Sequence, residues 1–452
     1  MRVAIIGTGY VGLTTALSLA YLGHDVAGVD KDSEKINILQ NGGSPIHETG
    51  LEYLLCEVKN NILFTINSNQ VVANADLIII SVGTPQKPNG NADSSNVETV
   101  ACDIAESLID GHSYTLVIKS TVPIGTNYRI AHIVSRVLSK REVACTVNIV
   151  SNPEFLREGM ALRDTFYPDR IIVGAEQQAA VESLRLLYRP ILEQTFKPLF
   201  CISRPDGYKL PPLITTDPVS AEMIKYAANA FLALKISYIN EISGLCEKVG
   251  SDVTEVARGI GMDPRIGSRY LQSGLGWGGS CFPKDTAAIL ALAAEYGYSM
   301  PIIEAARRVN MRQRQLVIEK LQNALKVLRG RTIAILGLTF KPETDDLREA
   351  PAIDVIHTLL QFGAQVRAHD PVAVLSAGKA LQGLDVVFTE DPYSVVEGCD
   401  AVVIATEWAV YRKLNLKQLA GYMRSAVMLD ARNIYRREDA EKAGFLYMGT
   451  GR

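Results

Sequence analysis

The 452-residue sequence predicts an α/β protein built as two doubly wound parallel-sheet domains joined by a long central helix. Three observations carry this. The chain opens on a strand, glycine turn, helix and strand, MRVAIIGTGYVGLTTALSLAYLGHDVAGVD. The same grammar returns after residue 330, and between the two copies lies a long stretch of helical pattern. The length exceeds what one ordinary core organises. The expected divisions are 1–212, 213–325 and 326–452.

In order along the chain, Val3 to Ile6 reads as a buried strand, Val11 to Leu22 as a helix, and the next strand ends at Asp30. Gly7, Gly9 and Gly12 form GxGxxG at the strand-to-helix turn of this Rossmann-like unit. Gly7 permits the tight turn, Gly9 lets backbone approach a pyrophosphate, and Gly12 lets helix pack on strand. Asp30 stands where a carboxylate accepts from an adenosine ribose, which favours NAD over NADP. A ligand-free glycine turn is the bland alternative, and strand, helix and acid together argue against it. Gly83-Thr84-Pro85 and STVPIGT (120–126) are strand-end loops at the edge where a nicotinamide would rest. SNPEFLREG (151–159) reads as a short helix with Glu154 and Glu158 one turn apart. The pair either orients a water or base, or is an ordinary acidic first turn.

Asp217 and Pro218 start a helix of about 30 residues, roughly 45 Å, that runs until Gly250. It is apolar on more than one face, which suits a joint between domains and a subunit interface. Lys225 and Asn229 share one ridge, as an oxyanion clamp or as a solvated stripe. In GLGWGGSCFPKD (274–285), Pro283 suits a first helical turn. Cys281 therefore falls at a helix N-terminus, where dipoles favour the thiolate, and Asp285 lies one turn on. The four glycines at 274, 276, 278 and 279 are expected to clear the approach to the sulfur. A buried small hydrophobe is the usual fate of a cysteine, but this polar, glycine-rich setting favours a nucleophile.

The second sheet is announced by RTIAILGLTF (331–340), by FGAQVRAHD (362–370), which parallels LGHDVAGVD, and by GCDAVVIAT (398–406), which parallels NADLIIISV (74–82). Without GxGxxG it is expected to bind something other than a dinucleotide, or nothing. A thiol beside a nicotinamide suggests aldehyde oxidation through a thiohemiacetal and a thioester.

Composition narrows the field. A net charge of −3, with 21% charged residues and no basic block, argues against nucleic-acid binding and for small-molecule partners. Seven cysteines without a CxxC pair fit a reducing, cytoplasmic setting, and histidines without an HExxH pattern give no reason to expect a metal. The glycines interrupt the apolar opening, so it is not read as a secretion signal, and no membrane span is expected.

Over nearly the whole chain the sequence resembles the UDP-glucose/GDP-mannose dehydrogenase family, carried by GTGYVGL, STVPIGT, SNPEFLREG, AEMIKYAANAFLALKISYINE, DPRIGSRYLQSGLGWGGSCFPKD and GLTFKPETDDLREAPAIDV. The resemblance implies a cytoplasmic oxidoreductase that takes the C6 alcohol of a nucleotide sugar to an acid with two NAD and no metal. Cys281 would carry the covalent intermediates, Lys225 and Asn229 would steady the oxyanion, and Asp285 and a water near Thr121 and Glu158 would handle protons. NAD would contact Gly7, Gly9, Tyr10, Val11, Gly12, Asp30, Lys35, Thr84, Thr121, Glu158 and Arg348. The sugar nucleotide would contact Glu154, Phe155, Leu156, Arg157, Lys225, Asn229, Arg265, Tyr270, Leu271, Gln272, Ser273, Gly278, Phe340, Lys341 and Arg432, which gives its uridine diphosphate to the third region. The motifs look more like the UDP-glucose branch than the N-acetylhexosaminuronate branch, while the GDP-mannose branch shares more of them. The family implies a homodimer through the central helix, with further assembly in some members, and Arg265 resembles a position that reaches the neighbouring subunit's sugar. His47, Thr49, Trp277 and Ala350 depart from the family's usual residues, and none is assigned to chemistry. Trp277 is expected to keep an aromatic wall at the sugar. A single-hydride 3-hydroxy-acid dehydrogenase and an NAD-sensing module share the first domain, but neither gives Cys281 a purpose.

Overall fold

A parallel sheet covered on both faces needs strands that are apolar on both sides, and the branched runs of this sequence become such strands. The computed structural model describes residues 1–452. Its first eight strands are β1 (Arg2–Ile6), β2 (Asp25–Val29), β3 (Ile62–Thr65), β4 (Leu77–Ile80), β5 (Ser113–Ile118), β6 (Thr146–Ser151), β7 (Ile171–Gly174) and β8 (Leu213–Thr216). They lie in the order β3-β2-β1-β4-β5-β6-β7-β8, parallel except where Ser151 of β6 meets Gly174 of β7 in the antiparallel sense. Side chains alternate between the faces. Val3 and Ile5 join a core with Leu13 and Leu17 of the helix Tyr10–Tyr21, while Ala4 and Ile6 join the opposite core with Ile104 and Ile130. The strand order reverses between β1 and β4, and a crevice for ligands opens at such a switch point.

The second sheet repeats this plan with β9 (Thr332–Leu336), β10 (Gln365–His369), β11 (Val386–Phe388), β12 (Ala401–Ile404), β13 (Val427–Asp430) and β14 (Leu446–Gly449), in the order β11-β10-β9-β12-β13-β14. The likeness reaches single hydrogen bonds. Arg2 N–H at the start of β1 donates to Asp76, just before β4, at 2.8 Å, and Thr332 N–H at the start of β9 donates to Asp400, just before β12, at 2.9 Å. The short acid that made the two segments look alike in sequence thus ties the first and fourth strands together in both sheets.

Chain contacts divide the molecule into two compact units, Met1–Ala227 and Ala228–Arg452, and the boundary falls inside one helix, Pro218–Val249. That helix has 32 residues. Its start is set as the sequence suggested, with Ser220 N–H donating to Asp217 at 2.8 Å, and it stops at Gly250, whose φ of 76° suits glycine. No helix is long and apolar enough to cross a membrane.

Candidate active site

The first unit presents a cradle at the turn after β1. A Cβ on Gly7 would meet Ser81 O at 2.9 Å, and one on Gly12 would sit 1.8 Å from Gly7 O, so both glycines serve close packing. A Cβ on Gly9 would meet nothing within 4 Å. Its backbone opens the N-terminus of the helix Tyr10–Tyr21, which no side chain caps, and the free space at this positive helix end fits a pyrophosphate. At the end of β2, Asp30 Oδ2 accepts from Thr8 N–H at 2.8 Å and Thr8 Oγ1 at 3.0 Å, while Oδ1 accepts from Asp32 N–H at 3.1 Å. Burial alone would raise its pKa, but these donors and Lys35 at 4.0 Å outweigh burial and hold it below the usual range. A charged Asp30 suits a ribose hydroxyl and repels a 2′-phosphate.

The second unit shows why the same turn differs there. Gly337 keeps a φ of 94°, but Asp370, in the place of Asp30, is buried. Its Oδ2 is filled by Leu338 N–H, the N–H and hydroxyl of Thr339 and the Trp408 indole N–H, and its Oδ1 by Val372 and Ala373 N–H. No acceptor is left to read a ribose.

At the carboxyl edge of the first sheet, Thr84 Oγ1 donates to Thr121 O at 2.7 Å, joining the two strand-end loops. The helix expected over 151–159 does not form: residues 152–157 run irregularly after β6 and end in a turn at Glu158 and Gly159. The two acids therefore share no helical face. Long-range bonds hold this segment instead. Glu48 accepts from Gly159 N–H at 2.6 Å and Ala161 N–H at 2.7 Å, and Arg157 pairs with Asp164 at 2.6 Å. Glu154 turns inward to Lys225 of the central helix at 2.8 Å, with the two side chains 7% and 4% exposed. Burial works to raise the Glu154 pKa, and the ammonium together with Leu156 N–H outweighs it and holds the acid low. Lys225 also lies 5.4 Å from the centre of the Phe155 ring. Lys225 is thus a buried cation and not part of a solvated stripe. Beside it lies a cavity of about 10 Å³, room for about one water, lined by Thr121, Ser151, Pro153, Glu222 and Lys225.

In the second unit Cys281 is the N-cap of the helix Phe282–Glu295, and Asp285 N–H donates to Cys281 O at 2.8 Å, one turn on. Asp285 is fully buried, and its carboxylate accepts from Asn229 at 2.6 Å and from Lys284. Asn229 and Asp285, singled out separately in the sequence and 56 residues apart, are in contact. The glycines ahead of the sulfur do a different job from the one expected. A Cβ at Gly274 would meet Ala431 O at 2.8 Å, at Gly276 Asn310 Oδ1 at 2.6 Å, at Gly278 Glu349 O at 2.1 Å, and at Gly279 the Phe340 ring at 2.8 Å. Gly274, Gly278 and Gly279 let this loop press onto the strand-end loops of the second sheet, and Gly276 lets it press onto the helix Pro301–Leu325, where a side chain would hold it away. Trp277 is likewise a packing residue, buried with its indole N–H on Ser237 Oγ at 3.0 Å, and not an exposed wall.

Several of the remaining predicted contacts border this loop. Gly279 N–H donates to Arg348 O at 3.0 Å, the Arg348 side chain pairs with Asp346 at 2.8 Å, and Arg432 donates to Ala405 O at 2.8 Å. Lys341 Nζ lies 5.7 Å from the centre of the Phe340 ring. Ser273 Oγ accepts from Asn433 at 3.1 Å, Gln272 reaches Ser268 O at 3.4 Å, and Arg265 is exposed on Asp263. Leu271 packs in a core with Ile239 and Val253, so only its backbone is available to a ligand. Tyr270, Glu343, Glu349 and Asn433 have φ of 65°, 63°, 51° and 51°. Such backbone is costly for side-chain-bearing residues and gathers where function requires it.

Matches to known families agree with this partition of roles. Residues 1–192 match the NAD binding domain of the UDP-glucose/GDP-mannose dehydrogenase family, 219–312 its central domain, and 334–437 its UDP binding domain. The chain belongs to this family. It is 42% identical over 457 residues to a UDP-glucose 6-dehydrogenase of Rhizobium meliloti, covering 100% of both chains. Among solved structures, a UDP-glucose dehydrogenase of Pyrobaculum islandicum is similar, with a TM-score of 0.87 and 36% identity over 99% of this chain and 97% of that one. A UDP-D-ManNAc dehydrogenase of Pyrococcus horikoshii reaches 0.84 at 28% identity, covering 100% and 99%.

As a family member the chain uses NAD, and its Cys281, Lys225 and Asn229 all fall in the matched central domain. Sequence reasoning missed three residues there. Asn310 both donates to and accepts from the Trp277 backbone, and Asn240 accepts from Gly274 N–H at 2.8 Å; an isolated amide in a helix gave no signal of either. Glu222 is the third. An acid three residues before Lys225, inside an apolar helical stretch, was the available signal.

Proposed function

We propose that this chain is an NAD-dependent UDP-glucose 6-dehydrogenase that consumes two NAD per sugar. The observation that carries the chemistry is Cys281 at a helix N-cap, one turn before a buried Asp285 bonded to Asn229. NAD, when bound at the Gly9 turn and Asp30, supplies the acceptor for each hydride. In the first oxidation C6 loses a hydride and its hydroxyl proton. The Cys281 sulfur then adds to the aldehyde carbon, forming a C–S bond, and Lys225 and Asn229, on successive turns of one helix, steady the oxygen. Loss of the second hydride and of the hydroxyl proton leaves a thioester. Water cleaves its C–S bond, giving the carboxylate and returning the thiol. Asp285 and a water near Thr121 and Glu158 carry the protons, and the cavity beside Thr121 supports such a water.

The sugar follows from the relatives, because identity is higher to the UDP-glucose enzymes than to the UDP-D-ManNAc enzyme. Glu154 to Arg157, Arg265, Tyr270 to Ser273, Gly278, Phe340, Lys341 and Arg432 would hold it, and Tyr10, Val11, Lys35, Thr84, Thr121, Glu158 and Arg348 would add to the cofactor site. We also assign a homodimer, or a larger assembly built from it, in the cytoplasm. Phe231, Tyr238 and Leu245 recur every seven residues on the central helix and are exposed, and none of the seven cysteines forms a disulfide. The test is NADH released per sugar consumed, with UDP-glucose, GDP-mannose and UDP-N-acetylhexosamines supplied separately. Two NADH from UDP-glucose and little from the others is expected. One NADH per sugar overturns the thioester, and two from another sugar moves the chain to a sister activity.

A further inference from the structure

Glu222 lies one helical turn before Lys225 and is buried, yet it pairs with no cation across its carboxylate. Instead it caps a helix far away in sequence. Its Oε2 accepts from Gly125 N–H at 2.6 Å, and its Oε1 from Asn127 N–H at 3.0 Å and Ser151 Oγ at 3.2 Å. Those N–H groups begin the helix Thr126–Arg141, which leads out of the Thr121 loop, and Gly125 bends into it with a φ of 86°. A local Ser, Asp or Asn caps a helix start at little cost. Here the cap is a glutamate 97 residues distant whose side chain also lines the water-sized cavity between Thr121 and Lys225. Lys225 is pinned from its other side by Glu154.

We propose that Glu222 is a positioning residue of the oxidation: its carboxylate fixes the Thr121 loop against the helix turn bearing Lys225 and so holds the water near Thr121 that carries protons in the reaction. This rests on the reaction proposed above. It follows that the step needs Glu222 ionised, because a protonated carboxyl gives up an acceptor that the Gly125 or Asn127 N–H requires. Burial raises its pKa to about 7 despite those N–H donors, so this ionisation falls in the working range. The charged and titratable groups nearby are Lys225 on its own helix, with Glu154 behind it, and Tyr128 on the capped helix, which bonds Glu176 and senses Asp217.

The test compares wild type, Glu222→Gln and Glu222→Asp, using whichever nucleotide sugar wild type turns over. Glutamine keeps the shape but presents an NH₂ to one backbone donor. The expected result is a kcat lower by roughly 10- to 100-fold with KM and NAD affinity within about threefold, as for a reacting group displaced without loss of binding. The rise of wild-type kcat through about pH 7 should flatten in Glu222→Gln, and Glu222→Asp should recover part of the rate and the limb. An unchanged kcat and pH profile overturns the proposal. So does a parallel fall of kcat, NAD affinity and melting temperature with the pH profile intact, which marks a purely structural cap. The wild-type NADH yield reports separately on the parent reaction. If it is one per sugar, the thioester reading fails, and a wild-type pH limb that survives in Glu222→Gln would overturn the role of Glu222 as well.

Discussion

Replacing Lys225 with Met leaves the Glu154 carboxylate buried and unpaired. The two groups stand 2.8 Å apart with side chains 4% and 7% exposed, so bulk solvent does not compensate for the lost ammonium. Removing one partner from a pair this deep costs about 3–5 kcal/mol. In a folding unit of this size about 1 kcal/mol moves the melting temperature by about 2–4 °C, which predicts a fall of roughly 6–20 °C. Thermal unfolding followed by circular dichroism measures it. The double variant Lys225→Met with Glu154→Gln removes the stranded charge and should recover at least half of the loss, while oxidation stays abolished in both. The pH dependence carries a sign. In wild type the Glu154 pKa is held low, so its contribution is present above the unfolded value and is lost as pH falls through the folded one. In Lys225→Met burial acts without the cation and the pKa rises, so the variant should be less destabilised at pH 5 than at pH 8. A double variant no more stable than the single would refute the reasoning, because the cost would then not lie in the charge.

Cys281→Ser should eliminate the second NADH and the acid product while leaving NAD affinity and melting temperature near wild type, as read by product analysis and binding titration. Gly9→Ala and Gly12→Ala should separate: Gly9 faces open space, so alanine there should fold normally and weaken NAD, whereas a Cβ at Gly12 collides with Gly7 O and should lower the melting temperature as well. Glu222 offers a stability test, since its folded pKa of about 7 stands above the ordinary 4.5. The folded state then holds the proton more tightly, so stability should fall by up to about 3 kcal/mol as pH rises from 4.5 towards 7 and stay lower above it. Denaturant unfolding should show this slope in wild type and not in Glu222→Gln. Phe231→Glu, on the exposed ridge of the central helix, should shift the sedimentation behaviour to monomer, and an unchanged mass would remove that ridge from the interface.

What could be read from the sequence was whatever a short window of chain imposes on itself. The GxGxxG turn, Asp30 at a strand end, the helix running from Asp217 to Gly250 and the start of a helix just after Cys281 all rest on local backbone geometry and side-chain period. They stand where expected, with boundaries off by about a residue. The repeat of a short acid before the fourth strand of each sheet was legible for the same reason. The partnerships were not. Glu154 with Lys225, 71 residues apart, and Glu222 with the Gly125 N–H, 97 apart, depend on which elements the sheet order brings together, and no periodicity encodes that. The segment 151–159 shows the conflict directly. Its residues suit a helical turn, but the backbone bonds from Gly159 and Ala161 to a buried Glu48, and the Glu154 pair, hold it in an irregular path. The glycines before Cys281 make the same point from the other side. Their crowding in sequence announces close approach, and only the tertiary structure decides that the approaching group is the protein's own backbone at Glu349 and Ala431 and its own Phe340 ring, because a glycine specifies the space it leaves and not what fills it.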